Sequence, residues 1–309
     1  TGSQYCFAAV AGDYDNDAGT DLAVSFKERV MLLHNEKNGA FKDVTQAAGI
    51  KDEGPNLGLT FVDYDHDGDL DLYILRSQNV PAPGPQGSIQ FPSGVPFAGN
   101  AMFRNNGNGT FTNVSQDIGL FADPSVNAIG SDYNNDRAVD LTVADLKGPT
   151  IFENPREGAF GAKSPWSSAV PALTLGITVL DFNHDGWMDL AFSHGDAPGI
   201  TLWRNNHGKS FEKVVLLATN WVKAFGLAAF DYDNDGWVDL VAAGETADGR
   251  GEIKLFRNLG PEGFKDVTAD VGLNKIQLKN PRAIITGDFD GDGATDLLIT
   301  QNHGPAVLL

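Results

Sequence analysis

The chain has 309 residues, a single cysteine and a formal net charge of −19, with a sequence pI near 4.5. That acidity excludes an ordinary nucleic-acid binder, because phosphate recognition needs a basic surface, and one cysteine excludes an internal disulfide. The longest apolar run, 169–180, carries Pro171 and stops at Asp181, well short of the roughly 20 residues that a membrane-spanning helix needs.

Read in chain order, the first fifty residues set out a unit that the rest repeats. CFAAVAG predicts a strand, DYDNDAGTDL an acidic turn followed by a second strand through LAVSF, RVMLLHN a third strand and GAFKDVT a fourth, after which QAAGIKDEGPN links to the next copy. Cys6 sits in the apolar setting YCFAAVAG, which predicts a buried structural thiol. The acidic turn returns at Asp63 (DYDHDGDLDL), Asp132 (DYNNDRAVDL), Asp181 (DFNHDGWMDL), Asp231 (DYDNDGWVDL) and Asp288 (DFDGDGATDL), at intervals of 50, 69, 49, 50 and 57 residues. The third and fourth strands recur as AMFRNNGNGTFTNVS, TLWRNNHGKSFEKVV and KLFRNLGPEGFKDVT, with Asn-rich or Gly-rich turns that suit hairpins.

Repeated four-stranded antiparallel units of this length predict an all-β fold, the β-propeller, with helix nearly absent. Blades at about 1–50, 51–120, 121–168, 169–218, 219–273 and 274–309 make one repetitive domain, the last stopping inside its third strand at Leu309. A missing outer strand leaves one polar edge, whereas a missing blade would expose apolar faces, so six blades are favoured and seven is the alternative.

Four carboxylates within nine residues repel one another unless a cation sits among them. The spacing suits a hard divalent ion that takes six to eight oxygens at about 2.3 to 2.6 Å, of which calcium is the common one. Positions one, three, five and nine of each turn offer side chains, position seven a backbone carbonyl, and a glycine at position six lets the chain fold back. The expected ligands are Asp13, Asp15, Asp17, Gly19 and Asp21; Asp63, Asp65, Asp67, Asp69 and Asp71; Asp132, Asn134, Asp136, Ala138 and Asp140; Asp181, Asn183, Asp185, Trp187 and Asp189; Asp231, Asp233, Asp235, Trp237 and Asp239; and Asp288, Asp290, Asp292, Ala294 and Asp296. An EF-hand is excluded, because position twelve of the fifth turn is Ala242 rather than a bidentate Glu and the flanks read as strands. Up to six calcium ions would bring the charge from −19 to about −7. Cytosolic free calcium is too low to fill such sites, so the turns favour a secreted or cell-surface protein.

The pattern resembles the FG-GAP/VCBS repeats of integrin α-subunit propellers, and LFRNLGPEGFKDVTADVGL and MLLHNEKNGAFKDVTQAAGI are similar to the ASPIC/UnbV and cartilage-acidic-protein group. The resemblance covers practically the whole chain and implies calcium-loaded blades in an extracellular, mostly non-enzymatic propeller. Two turns depart from it. Arg137 and Ala18 stand at the glycine position, and the third turn also has Asn134 for a carboxylate, which predicts the weakest affinity there. The resemblance also implies seven blades as the common number.

Catalytic constellations are hard to find: there is no nucleophile elbow, phosphate-binding glycine loop or HExxH. His194, His207 and His303 read as solvated turn residues, and His66 and His184, at position four, point away from the ion. Trp187 and Trp237 are expected to cover their turns against a neighbouring blade. Asn108-Gly-Thr and Asn113-Val-Ser match glycosylation sequons. A structural, adhesive, protein-interaction or self-assembling scaffold is favoured. The alternatives are a lectin-like propeller and a calcium-dependent polysaccharide lyase.

Strand direction places the partner surface. The acidic turns and the third-to-fourth turns share one end of each blade, and the second-to-third loops and blade links share the other. That other end carries the insertion 78–99, with five of the fifteen prolines, together with 244–252, 46–56 and 116–125. A protein or glycan partner, or a second copy, is expected there, with Phe91 and Phe97 as apolar anchors.

Overall fold

The computed structural model describes residues 6–26, 29–51, 54, 56–77, 79–80, 89–90, 99–120, 124–145, 147–196, 198–214, 219–302 and 304–309. The described residues are all-β, with two single-turn 3₁₀ segments, Gly260–Glu262 and Leu273–Lys275, as their helical content.

Six antiparallel sheets follow one another along the chain, and these are the blades of a β-propeller. The first orders Cys6–Gly12, Asp21–Phe26, Arg29–Asn35 and Phe41–Asp43 side by side. The second, third, fourth and fifth sheets repeat this order with four strands, and the sixth holds three: Pro281–Gly287, Asp296–Gln301 and Val307–Leu308. Six blades, with the last one lacking its outer strand, agree with the sequence reading. The first strand pairs to the second in one register across every acidic turn, from Gly12 opposite Asp21 to Gly287 opposite Asp296. Position nine therefore opens the second strand each time.

The residues group into two compact units, one running to Ser164 and one from Pro165 that also takes in Tyr133–Asn135. In the first unit two apolar clusters lie between consecutive blades, one around Leu32, Leu59, Leu72 and Phe103, the other around Tyr73, Met102, Leu141 and Phe152. In the second unit the clusters gather around Leu202, Trp221 and Phe256 and around Val241, Leu255, Ile284 and Ile299. Second strands such as Asp71–Arg76 and Asp189–His194 are buried on both faces and carry apolar runs, while fourth strands such as Phe41–Asp43 and Gly161–Lys163 are exposed.

In blades two to five one asparagine reaches the preceding acidic turn, and the sequence reading did not single it out. Asn105 donates from Nδ2 to Tyr14 O at 2.7 Å, and Asn154 to Tyr64 O, Asn205 to Tyr133 O and Asn258 to Phe182 O at the same distance. Each acceptor is position two of the preceding blade's acidic turn. The four asparagines are buried, so these bonds are shielded from water and the carbonyls have no solvent alternative.

Two expectations change. Cys6 is exposed at the first position of its strand rather than buried, and no residue of that strand is fully buried. His194 is fully buried at the end of a second strand, between Thr174 Oγ1 at 3.3 Å and Thr201 Oγ1 at 2.8 Å, and burial drives its pKa down to about 3. His303 lies outside the described residues. Within the insertion, Asn79–Val80 pairs with Ile89–Gln90 as a small ribbon, and buried Arg76 holds its base through Nη1 to Gly99 O at 3.0 Å. Phe91 and Phe97 lie outside the described residues.

Replacing Asn105 by Ala strips partners from Tyr14 O, Leu70 O and Gly107 N, which the side chain now serves. The expected cost is about 3 kcal/mol, since each orphaned buried group costs about 1 to 3 kcal/mol and relaxation recovers part. Asn106→Ala, at the exposed neighbour, should stay within about 0.5 kcal/mol. Denaturant unfolding of the two variants side by side checks this.

Candidate metal centres

The acidic turns close on themselves by recurring hydrogen bonds. The position-one carboxylate accepts from the amide of position six in every turn and, except in the second, from that of position five, as Asp231 does from Asp235 at 3.1 Å and Gly236 at 2.8 Å. The position-five carboxylate accepts from position seven, as Asp235 does from Trp237 at 2.9 Å. The closure needs two left-handed residues, not one. Position four has φ of 54 to 59 in Asn16, His66, Asn135, His184 and Asn234, residue types that tolerate it, and 78 in Gly291. At position six, Gly236 has φ 90, but Ala18 and Arg137 are held at 66 and 70, a region that costs an L-residue about 1 to 2 kcal/mol. The two turns singled out as departures are thus strained as well as lacking glycine.

Position nine is the pivot. Asp71 is fully buried; its Oδ2 accepts from Tyr64 N at 3.1 Å and its Oδ1 from Asn105 N at 2.7 Å. Asp21, Asp189 and Asp239 repeat both bonds, to Tyr14 and Asn35, Phe182 and Asn205, and Tyr232 and Asn258. Burial pushes the Asp71, Asp140 and Asp189 carboxyls up to about 7 and that of Asp239 to about 6, against the pull of these amides toward the charged form.

Positions one, three and nine converge. One oxygen each from Asp13, Asp15 and Asp21, from Asp63, Asp65 and Asp71, from Asp231, Asp233 and Asp239, and from Asp288, Asp290 and Asp296 lie within 4.8 Å of one another. Several of these oxygens are buried without a hydrogen bond: Asp63 Oδ1, Asp65 Oδ1, Asp233 Oδ1 and, in the third turn, Asp140 Oδ2. Buried acceptors are normally paired, so this donor set fits a hard dication. The position-five carboxylates Asp67, Asp235 and Asp292 fall outside these triplets. In the fourth turn, Asn183 Nδ2 donates to Asp185 Oδ2 at 2.9 Å, and Asp181 accepts from Gly186 at 2.9 Å.

Side-chain cations already approach three turns. Arg257 Nη2 lies 2.7 Å from Asp233 Oδ2 and 2.9 Å from Asp235 Oδ2. Lys37 Nζ lies 3.1 Å from Asp17 Oδ2 and also donates to Asp17 O, and Arg156 Nη2 donates to Asp136 O. The last two reach across from third-to-fourth turns, so those turns and the acidic turns do share one end of the blade. Trp237 stacks on His184 of the preceding blade's turn, ring centroids 4.1 Å apart, and Trp187 meets His207 of its own blade edge-on at 5.4 Å.

An FG-GAP-like repeat profile matches residues 2–74, 132–192 and 231–299. Cartilage acidic protein 1 of Mus musculus is 25% identical over 192 residues, 58% of this chain and 27% of that protein, so the chain spans about a quarter of the curated relative it matches. Among solved structures, an Agrocybe aegerita lectin that recognises non-reducing terminal N-acetylglucosamine matches at TM-score 0.43 and 17% identity, over 85% of this chain and 80% of its own. The V. cholerae biofilm matrix protein Bap1 matches at TM-score 0.49 and 13% identity, over 83% and 38%. A Bacillus licheniformis rhamnogalacturonan lyase matches at TM-score 0.46 and 12% identity, over 99% and 57%.

The raised carboxyls fix the sign of a pH effect. Their folded pKa values lie above the unfolded 3.8, so between about pH 4 and 7 the folded metal-free chain binds more protons than the unfolded one and stability falls as pH rises. In EDTA the melting temperature should be higher at pH 5 than at pH 7.5. With millimolar calcium the difference should shrink or reverse, because the ion binds the charged form. Thermal unfolding followed by circular dichroism at the two pH values reads both effects.

Proposed function

The chain belongs to the FG-GAP-like repeat family, and from that premise we propose that it is a calcium-loaded, extracellular, non-enzymatic scaffold that presents variable loops to a protein or glycan partner. The observation that supports this most directly is the convergence of three carboxylates in turn after turn, with buried oxygens that have no hydrogen bond. Calcium would supply the positive charge those oxygens need. Asp21, Asp71, Asp140, Asp189 and Asp239 would anchor it from the buried end of each turn, with positions one and three closing over it. An extracellular setting follows from the calcium concentration such exposed turns require.

The scaffold reading is favoured over the lectin by the tryptophans. Trp203 and Trp221 are buried, Trp166 packs against Phe192, Trp203 and Phe211, and Trp187 and Trp237 are engaged by histidines. They do not form a repeated exposed platform for sugar rings. The partner is assigned to the blade ends opposite the acidic turns, where the insertion after Arg76 departs most from the repeat. Phe91 and Phe97 remain its proposed anchors.

Chelation tests the reading. Excess EDTA at neutral pH should lower the melting temperature by several degrees and calcium should restore it; an unmoved transition would refute the scaffold's dependence on the ion. Asp239→Ala should lose more calcium-dependent stabilisation than Asp140→Ala, because the third turn has a strained Arg137 and an amide, Asn134, in place of a carboxylate.

A further inference from the structure

The residue before the blade asparagine is Arg104, Glu153, Arg204 and Arg257 in blades two to five, and His34 in blade one. Only in the first blade can this position offer a neutral nitrogen ligand. His34 Nδ1 lies 3.1 Å from Asp15 Oδ2 and 3.3 Å from Asp21 Oδ1, and one atom each from Asp15, Asp17 and His34 fall within 4.8 Å of one another. The nitrogen is shielded from solvent and makes no hydrogen bond. Tyr14, edge-on at 6.5 Å, flanks the ring. Asp21 is fully buried, with Oδ1 bound to Asn35 N at 2.7 Å and Oδ2 to Tyr14 N at 3.3 Å.

We propose that the first turn is a nitrogen-and-oxygen site for a borderline first-row transition dication such as Zn²⁺, held by His34 Nδ1, Asp15 and Asp21 with Asp13 beside them, whereas the other turns offer the all-oxygen donors of a calcium site. The proposal rests on the metal-turn reading above and departs from it in ligand chemistry. Imidazole suits zinc, nickel and copper, while carboxylate and carbonyl suit calcium. Metal-to-donor bonds of about 2.0 to 2.2 Å put neighbouring donors in tetrahedral or octahedral shells about 3.0 to 3.4 Å apart, the spacing of His34 from Asp15 and Asp21. Lys37, 3.1 Å from Asp17 Oδ2, neutralises the position-five carboxylate, so the turn presents fewer oxygens to a calcium ion that takes six to eight.

Equilibrium dialysis of the whole chain against Zn²⁺ in millimolar calcium, with Co²⁺ absorption as a second readout, tests the site. One Zn²⁺ per chain should be retained, and Co²⁺ should give a visible spectrum. His34→Gln and His34→Arg should each weaken retention at least tenfold, the minimum that disturbing even an outer-shell partner costs. Calcium bound elsewhere should be unchanged. His34→Arg installs the residue that blades two, four and five carry, and its melting curve confirms folding. Zinc held equally by the variants, or absent from the parent chain, overturns the proposal. If zinc depends on His34 while no turn binds calcium, the calcium reading fails and this one stands.

Discussion

In the first, second, fourth and fifth blades, a carboxylate fixed at the buried start of the second strand is the constraint on which the other features depend. An ionised oxygen out of water is costly unless it is hydrogen-bonded or paired. Here its two oxygens collect the amide of position two in its own turn and the amide of the third-strand asparagine. Those two bonds fix the turn against the third strand, and the asparagine's side chain then reaches the preceding blade. One buried charge thus couples turn closure, strand order and blade-to-blade packing. Two amides do not discharge it, since burial still carries these carboxyls up to about 6 or 7.

The remaining charge is met in different ways. In the fifth turn a guanidinium spans Asp233 and Asp235, and in the first the Lys37 ammonium meets Asp17. Such pairs are partly exposed and contribute little each. They hold the turn in shape without supplying the coordination number of an ion. Asp63 Oδ1, Asp65 Oδ1 and Asp140 Oδ2 are buried and accept no hydrogen bond among the described residues.

Much of this was legible in the sequence because the period is long and the register strict. Six copies of the acidic turn, each preceded by an apolar strand, specify the sheets, their order and the truncated last blade, and the structure reproduces them. The asparagine was visible as a recurring RN but gave no hint of its role, since a bond to position two of another blade depends on packing rather than on local pattern. Left-handed position four was hidden because Asn and His are ordinary turn residues. Cys6 and His194 were misread because neighbours in sequence, apolar around Cys6 and a glycine after His194, do not say which end of a strand is covered. Cys6 is exposed at its strand's first position, and His194 is buried between Thr174 and Thr201.

The central claim, that the buried position-nine carboxylate anchors a calcium ion, is tested most directly by a crystal structure determined in millimolar calcium. The account predicts a peak between Asp231, Asp233 and Asp239, with six to eight oxygens at about 2.3 to 2.6 Å and Arg257 withdrawn from Asp233. A turn that keeps Arg257 on Asp233 and Asp235 and shows only water among the three carboxylates would contradict it.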